Sequence, residues 1–403
     1  MAETDLRSSL LSDLMGVTVC PIRACNLRCP YCYQDAEHLP PARQAAAAVQ
    51  DPVRLAAGLG SLLARSQRRR HSIVISGGEP LLLPEGWYRA FFAAMDCGAA
   101  RSKQIDYSLQ TNILAWDDPL MSLLAERRVH FSVHYDGDTR EPSLRSAERR
   151  AHIERLHARG GSITAIVVGT PAALAGLPAT LDLFRRCGVK HYHLNYVSCE
   201  GRGASSPQPD PADRAEAEFE TAFFASQADF ATWDPVIMQK FVSYSRSSRR
   251  TRPAAAPAPQ QCNAGTKTVL VAADGAIYPC GFFPRTTGPM GWLAALPDLA
   301  PDAPAAIARC QRRSAFFEER CPDCPALPIC GDYCALTPTG DNGFMRAFCE
   351  SQRRLMAVMD ENRRLVTVMV RRFLDYRAAR PAERPTTCGV IYKDQALPAS
   401  GSA

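Results

Sequence analysis

Six runs of β-forming residues alternate with helical stretches in the first half of the chain, and this alternation limits the fold more than any other feature. The runs span residues 17–22, 72–76, 105–109, 129–134, 162–168 and 191–197. Strands separated by helices pair in parallel, and the loops that follow them meet at one edge of the sheet, where α/β proteins place their chemistry. Cys25, Gly77, Gln110 and Asp136 fall in or beside such loops. The sequence therefore predicts an α/β fold with a site at that edge.

The rest of the chain divides at a segment that is unsuited to packing. Residues 252–260 read Arg-Pro-Ala-Ala-Ala-Pro-Ala-Pro-Gln, which is typical of a linker. Beyond it, residues 268–271 and 276–278 flank Asp274-Gly275 as a hairpin, and apolar residues recur at helical spacing over 346–376. We predict an N-terminal segment over 1–16, a barrel over 17–215, a helical linker region over 216–255, a second domain over 256–350, and a C-terminal helix with a flexible tail over 351–403.

Charge, hydropathy and cysteine content limit the partners and the cellular compartment that we expect for this chain. The formal net charge of +6 is modest for 403 residues, so a nucleic-acid partner is not predicted. The most apolar later segment, 163–184, is interrupted by two glycines and two prolines, and residues 1–16 lack a sustained apolar run. We therefore expect neither export nor membrane spanning, but a cytoplasmic protein. Disulfides rarely persist in that compartment, so the sixteen cysteines indicate metal binding or redox chemistry.

Three cysteines follow the first strand. Cys25, Cys29 and Cys32 have the spacing Cys-x3-Cys-x2-Cys. A [4Fe–4S] cluster takes four ligands, so three thiols on one loop leave one iron open. Zinc is the alternative, but it normally takes a fourth protein ligand and pairs of Cys-x2-Cys, of which this loop supplies one. The spacing favours iron–sulfur over zinc.

The second strand ends in Ser76-Gly77-Gly78-Glu79-Pro80. Two glycines there let the backbone approach a small ligand and leave amide and carbonyl groups free to bind it. Together with the cysteine loop, in which Tyr31 fills an aromatic slot, this motif resembles the radical S-adenosylmethionine enzymes. The likeness continues through residues 110–112 and 132–137 and covers about residues 17–200. It implies an open, partial (β/α)6 barrel.

The resemblance also implies roles for individual residues. Contacts to S-adenosylmethionine would come from the loops around the cluster, and two side chains would face the substrate cavity or accept a proton there. The cofactor-binding set is Tyr31, Gly77, Gly78, Glu79, Pro80, Asn112 and Ser132, and the catalytic candidates are Gln110 and Asp136, beside His134 and Tyr135. In this family, one electron cleaves the cofactor to give a 5′-deoxyadenosyl radical, which takes hydrogen from unactivated carbon.

A second group of cysteines lies beyond the linker. Its spacings match the seven-cysteine signature of the SPASM subfamily of these enzymes, whose C-terminal domain carries two auxiliary [4Fe–4S] clusters. By that resemblance an inner cluster takes Cys262, Cys280 and Cys334, and an outer cluster takes Cys321, Cys324, Cys330 and Cys349. Three [4Fe–4S] clusters are therefore expected. No cysteine stands shortly before Cys262, so the inner cluster is either open to substrate or closed by Cys199, Cys310 or Cys388. Taken alone, this group also admits zinc.

SPASM enzymes in general act on peptides or proteins. The leading hypothesis is oxidative maturation, chiefly crosslinking, of a ribosomally made precursor peptide. The bond could be C–C, C–S, C–O or C–N, as in a cyclophane or thioether, and epimerisation is a further option. Formylglycine formation by a sulfatase-maturase-like enzyme is the first alternative, and it is disfavoured because Gly281 rather than an aspartate follows Cys280. Small-molecule oxidation is another alternative, and a zinc- or iron–sulfur-binding scaffold is the non-enzymatic one.

The resemblance also implies partners. The expected ones are the precursor peptide and a flavodoxin- or ferredoxin-like electron donor. Only sixteen residues precede the first strand, so we expect leader recognition by a separate protein or by the edge of the C-terminal hairpin, or else a leader that contributes little.

Overall fold

The computed structural model describes residues 11–34, 37–38, 49–138, 144–247, 263–281, 288–295, 303–311, 321, 323–330 and 344–380. Of the predicted cluster ligands, Cys262 and Cys334 lie outside these residues, and so do the linker at 252–260, Cys388 and the tail from residue 381. Cys310 is described by its backbone alone.

Most strands join one sheet, and its central part is parallel. The strands are β1 Gly16–Ile22, β2 Ala24–Cys25, β3 Glu37–His38, β4 Arg70–Gly77, β5 Gln104–Thr111, β6 His130–His134, β7 Ile163–Val168, β8 His191–Asn195, β9 Thr268–Val271, β10 Ala276–Tyr278 and β11 Gly291–Trp292. The order in the main sheet is β11-β10-β9-β1-β4-β5-β6-β7-β8. β1 and β4 to β8 pair in parallel, which confirms the predicted α/β fold with six parallel strands.

Helices connect the parallel strands and follow them in the chain. They are α1 Pro52–Ala64, α2 Glu85–Cys97, α3 Asp118–Glu126, α4 Ser146–Ala158, α5 Pro171–Ala175, α6 Leu177–Arg186, α7 Pro211–Gln227, α8 Pro235–Ser247, α9 Ala303–Gln311, α10 Leu327–Cys330, α11 Phe344–Glu361 and α12 Arg363–Ala378. Side-chain caps followed by proline fix several starts. Asp51 accepts from Arg54 N (2.7 Å) at α1, and Asp117 accepts from Leu120 N (2.8 Å) at α3.

The two faces of the parallel strands differ in polarity because side chains alternate along a strand. One face carries buried apolar residues such as Ile75, Leu109 and Val133, which belong to the main core. The opposite face carries several polar side chains. One register row across β5 to β8 consists of Gln110, Ser132, Thr164 and His191. A polar interior face is suited to a polar ligand rather than to further packing.

The hairpin after the linker is confirmed, and it extends the main sheet. β9 and β10 are antiparallel around Asp274-Gly275, where Gly275 has φ +83° and Asp274 accepts from Ala276 N (3.0 Å). β9 also pairs in parallel with β1. The sheet therefore continues into the segment that was assigned to the second domain, and the division between domains stays a prediction.

The single long helix predicted over 346–376 is wrong, because the structure has two. α11 ends at Glu361 and α12 begins at Arg363, with Asn362 at φ −104° and ψ 25° between them. The Asn362 side chain donates to Val358 O (2.9 Å), the same carbonyl that its backbone N–H reaches (3.1 Å). An asparagine that competes with the backbone in this way interrupts a helix. α11 packs on α7, and α12 packs on α8. In the part of the chain that the structure describes, no helix is both long and apolar enough to cross a membrane.

Candidate active site

The first cysteine loop gathers its three thiols against two leucines. Cys25 is buried in β2, and the half-buried Cys29 and Cys32 pack with it on Leu27 and Leu114. Leu27 N donates to Cys25 Sγ (3.4 Å), and Cys32 N donates to Cys29 O (3.3 Å). Leu114 comes from the connection after β5, so loops from two βα units meet here, as the sequence predicts.

These buried thiols are suited to a bound metal group. Burial, with a contribution from Glu79, raises the pKa of Cys25 to about 12, and burial raises the pKa of Cys29 to about 11. Cysteine binds metal as thiolate, so the positive charge of a bound metal group would offset this burial. Among the described residues, no group of three or more Cys, His, Asp or Glu side chains is arranged around a single ion.

The two glycines at the end of β4 allow the cysteine loop to pack directly on that strand. Gly77 has φ +117°, and a Cβ on Gly78 would lie 2.0 Å from Ala24 O. Gly78 N donates to Ile22 O (2.9 Å), and Glu79 N donates to Ala24 O (2.8 Å). The Gly78 amide, which was expected to be free for a ligand, is therefore bonded within the chain, and so is the amide of Glu79. They hold the cysteine loop in place instead.

Glu79 fixes the end of β4 to the end of β5. Its fully buried carboxylate accepts from Leu81 N (2.8 Å), Thr111 Oγ1 (2.6 Å) and Asn112 N (2.7 Å). Burial raises the pKa of Glu79 to about 7, although these hydrogen bonds oppose the rise. Pro80 opens the short turn that follows, and its carbonyl accepts from Tyr88 Oη (3.0 Å). Glu79 and Pro80 thus position neighbouring backbone segments in the structure.

Asn112 touches the cysteine loop directly. Its Nδ2 lies 3.8 Å from Cys25 Sγ and donates to Asn26 Oδ1 at 2.8 Å. Its Oδ1 accepts from Leu114 N (3.0 Å). The side chain therefore orients the thiol that is most deeply buried.

Tyr31 joins the cysteine loop to the end of β6. Its hydroxyl donates to Asp136 Oδ2, while Asp136 Oδ1 accepts from Val168 N (2.7 Å) and Arg149 Nη1 lies 3.8 Å from Oδ2. Burial raises the pKa of Asp136, and Arg149 opposes the rise. Both carboxylate oxygens of Asp136 are engaged, so its contacts favour a positioning role. Its role as a proton acceptor stays a prediction.

Arg149 is a functional candidate that sequence reasoning missed. It lies on α4, is only 1% exposed, donates to His134 O and has no partner at Nε. Ser132 is also fully buried, and its Oγ has no partner. Asp136 balances the charge of Arg149, and the unused Nε and Oγ could still bind a polar or anionic ligand. Arg149 is one of several arginines in this helical stretch, beside Arg150 and Arg155, and no spacing in the sequence distinguishes it.

Gln110 lies on the polar face of the strands, and its predicted place at the substrate cavity stays a prediction. Ser76 Oγ donates to Gln110 Oε1 (3.0 Å), and Gln110 Nε2 lies 2.8 Å from His134 Nε2. Burial, with Arg149, lowers the pKa of His134 to about 3, so the ring is neutral and its Nε2 accepts from the amide. The three side chains form one chain of hydrogen bonds across β4, β5 and β6.

The outer thiols are also brought together. They pack on an aromatic patch at the start of α11, and the group consists of Cys199, Cys321, Cys330 and Cys349 around Phe344, Met345 and Phe348. Burial raises the pKa of Cys330 to about 12; Lys240 opposes the rise, and Cys349, Cys321 and Cys324 add to it. All four predicted outer ligands therefore lie near one another. Cys199, an inner-cluster candidate in the sequence, packs with this outer group.

The inner set is less complete in the described residues. Cys280 is half-buried and follows β10 closely. Cys262 and Cys334 lie outside the described residues, so the inner ligand set stays a prediction.

The arrangement of cysteine loop, Gly-Gly turn and polar interior agrees with a known family. Residues 19–184 match the model described as the Radical SAM superfamily. Over these residues the chain is similar to that superfamily. Radical chemistry with S-adenosylmethionine and an iron–sulfur cluster is what that superfamily implies. No curated protein matches the chain in sequence.

Solved structures share the radical SAM fold of this protein over most of its length. Native anSMEcpe with bound AdoMet has a TM-score of 0.65 at 15% identity, covering 88% of this chain and 99% of that chain. The same protein with AdoMet and the Cp18Cys peptide gives 0.63 at 16%, covering 88% and 98%. Streptococcus suis SuiB bound to the precursor peptide SuiA gives 0.58 at 14%, covering 82% and 74%. At these identities the likeness concerns the fold.

Proposed function

We propose that this radical SAM protein oxidatively modifies, chiefly by crosslinking, a ribosomally made precursor peptide. The observation that carries the proposal is the meeting of Cys25, Cys29 and Cys32 with Asn112 at the edge where the polar strand faces end. Two solved structures of the same fold contain peptides, Cp18Cys in one and SuiA in the other, which supports a peptide substrate here.

The cysteine pocket would hold a [4Fe–4S] cluster with one open iron. Bound there with S-adenosylmethionine, the cluster supplies the means to abstract a hydrogen atom from unactivated carbon. The chain's own residues prepare the site. Asn112 orients Cys25, and Glu79 fixes the ends of β4 and β5 beneath it. The buried Leu27 and Leu114 keep water from the thiols.

Recognition of the cofactor's charged end would fall to the buried polar groups that lack partners. Arg149 Nε and Ser132 Oγ are suited to a carboxylate, such as that of the methionine moiety. Gly77 and Gly78 contribute by admitting the cysteine loop, and Tyr31 by tying that loop to Asp136. Gln110, with Ser76 and His134, would face the substrate across the polar interior.

The second half of the chain would serve electron transfer. We assign the outer cluster to Cys321, Cys324, Cys330 and Cys349 in a SPASM domain, and the inner one to Cys262, Cys280 and Cys334. Oxidation of a substrate releases an electron after the hydrogen atom is lost, and auxiliary clusters can accept it. A flavodoxin- or ferredoxin-like protein would supply the reducing electron, and a separate protein would supply leader binding.

Formylglycine formation remains the second candidate. The structure anSMEcpe is that of an anaerobic sulfatase maturase, and it shares the fold over nearly its whole length. The glycine that follows Cys280 argues against it, since that position lacks a carboxylate to act as base. A peptide readout separates the two. Crosslinking joins two side chains, whereas formylglycine formation converts one Cys or Ser into an aldehyde that reacts with hydrazides.

The test is the mass of a short peptide encoded beside this gene after co-expression with the protein. We expect a loss of two hydrogen atoms, absent when Cys25, Cys29 and Cys32 are replaced by Ala and retained in Cys97→Ala. Cys97 is an exposed thiol at the end of α2 and serves as a matched control. Fragmentation that shows an aldehyde at one residue would favour formylglycine formation. Unchanged peptide from a protein that still cleaves S-adenosylmethionine would contradict the proposed substrate.

A further inference from the structure

A buried group of charged residues lies between β8 and the outer thiols. At its centre, the carboxylate of Glu218 on α7 accepts from Arg214 Nε (3.0 Å), Tyr196 Oη (2.6 Å) and the Lys240 ammonium. Arg214 also donates to Leu194 O (2.6 Å), and its guanidinium lies 3.8 Å from the centre of the Tyr196 ring. The group is therefore anchored to the C-terminal end of β8.

This group has one positive charge in excess. Arg214 and Lys240 are cations, Glu218 is the anion that joins them, and their exposed fractions are 2%, 9% and 0%. Burial acts to raise the pKa of Glu218, but Lys240 and Arg214 lower it to about 2. Burial acts to lower the pKa of Lys240, and Glu218 raises it above its ordinary value. All three stay charged, and a buried uncompensated charge is costly unless an anionic neighbour balances it.

Bound to a cluster as thiolates, the outer cysteines would be that neighbour. Lys240 lies on α8, which packs against α10, the short helix that ends at Cys330. The same ammonium acts on the Cys330 thiol, opposing the effect of burial. On the other side, Tyr196 packs in the same cluster as Cys330 and Cys349, with its ring centre 5.0 Å from that of Phe348. The excess cation thus stands beside the four thiols assigned to the outer cluster.

We propose that Lys240, backed by Arg214, is a positioning residue that stabilises the reduced form of the outer cluster and so raises its reduction potential. The inference rests on the proposed function, which places a [4Fe–4S] cluster on those thiols. Four thiolates give such a cluster a net negative charge, and reduction adds another. A nearby buried cation stabilises the more negative form to a greater extent. The outer cluster is thereby suited to accept the electron that substrate oxidation releases.

The test measures potentials in the full-length protein rather than activity. In a background with Cys25, Cys29 and Cys32 replaced by Ala, the outer signal is assigned as the electron paramagnetic resonance signal that Cys324→Ala removes. Lys240→Met should make the reduction equilibrium of the outer cluster at least about tenfold less favourable, which lowers its reduction potential by about 59 mV for one electron. Lys240→Arg, which keeps the charge, should change the reduction equilibrium by less than about twofold, about 18 mV for one electron. Glu218→Gln removes the compensating anion and should raise it.

The opposite signs of the Lys240→Met and Glu218→Gln shifts distinguish an electrostatic role from a merely structural one. If Lys240→Met loses its iron, the potential of Glu218→Gln still tests the electrostatic role, because that variant keeps both cations. An outer signal whose potential does not rise in Glu218→Gln would overturn the inference and leave the proposed function standing. Absence of any four-iron signal that depends on Cys324 would overturn this inference and the outer-cluster assignment together, while peptide modification would still test the proposed function separately.

Discussion

The hydroxyl of Tyr31 donates a hydrogen bond to the carboxylate of Asp136, 105 positions away in the sequence. This bond ties the cysteine loop to the end of β6, and Arg149 flanks the same carboxylate. The other oxygen of Asp136 accepts from Val168 N at the end of β7, so three βα units are held together around the thiols. A pocket held in this way can bind a cluster without ordering its own walls.

The first prediction concerns Tyr31. Tyr31→Phe keeps the ring but removes the donor from a fully buried carboxylate, so the free energy of unfolding should fall by ~1–3 kcal/mol. Tyr135→Phe is the control, because the Tyr135 hydroxyl bonds to Asp138, whose side chain is 53% exposed, and water can replace it. That control should lose less than about 1 kcal/mol. Urea denaturation measures both, and equal losses would contradict the assigned role of the Tyr31 bond.

The second prediction concerns the Gly-Gly turn. A methyl group at Gly78 would lie 2.0 Å from Ala24 O, so Gly78→Ala should displace the cysteine loop and cost at least about 3 kcal/mol of stability. Gly86→Ala makes the same chemical change in α2, where nothing lies within 4 Å, and should be neutral or stabilising by up to about 1 kcal/mol. Thermal unfolding and bound iron are the readouts. Normal iron content in Gly78→Ala would show that the close approach is not required.

The third prediction concerns Arg149. Arg149→Met should weaken binding of S-adenosylmethionine to the reconstituted protein by at least about tenfold, since a charge-assisted hydrogen bond contributes ~1.5–3 kcal/mol. Arg150→Met, one position along α4, removes an arginine that is 43% exposed and paired with Asp138, and should bind normally. Calorimetric titration gives both affinities. Parallel losses in the two variants would argue for a general effect of helix charge instead.

The fourth prediction concerns pH. Burial lowers the pKa of His130 to about 4, and its ring nitrogens lie 2.8 Å from Ser162 Oγ and from Thr164 Oγ1. The unfolded chain takes up a proton near pH 6.5, before the folded one does, so the contribution of His130 to stability is present above pH 6.5 and is lost as the pH falls toward 4. The expected slope is up to about 1.4 kcal/mol per pH unit. His130→Gln should remove this part of the slope in denaturation measured from pH 7 to 4.5, and an unchanged slope would show that His130 is protonated in the fold.

The strands, the hairpin and the first thiol pocket could be predicted from local sequence. The β-forming runs mark the parallel strands because each strand is apolar on its core-facing side, and Asp274-Gly275 marks the hairpin because Gly275 adopts positive φ. The spacing of Cys25, Cys29 and Cys32 was sufficient to locate the first thiol pocket.

Other features depend on tertiary context, which a single sequence does not display. Arg149 resembles its exposed neighbours until the fold buries it, and Glu218 and Lys240 resemble solvated helix residues until α7 and α8 meet. The close approach of the cysteine loop to Gly78 is likewise a tertiary contact that the Gly-Gly sequence alone does not display. Asn362 interrupts a helix whose apolar spacing continues across the break.

The most direct measurement counts iron and follows S-adenosylmethionine cleavage in the anaerobically reconstituted protein and in the variant with Cys25, Cys29 and Cys32 replaced by Ala. The account predicts about twelve irons per chain in the parent and about eight in the variant, from three and two four-iron clusters. It also predicts that reductive cleavage of S-adenosylmethionine is lost in the variant. Retention of all the iron by the variant, or one to three zinc ions with little iron in the parent, would contradict it.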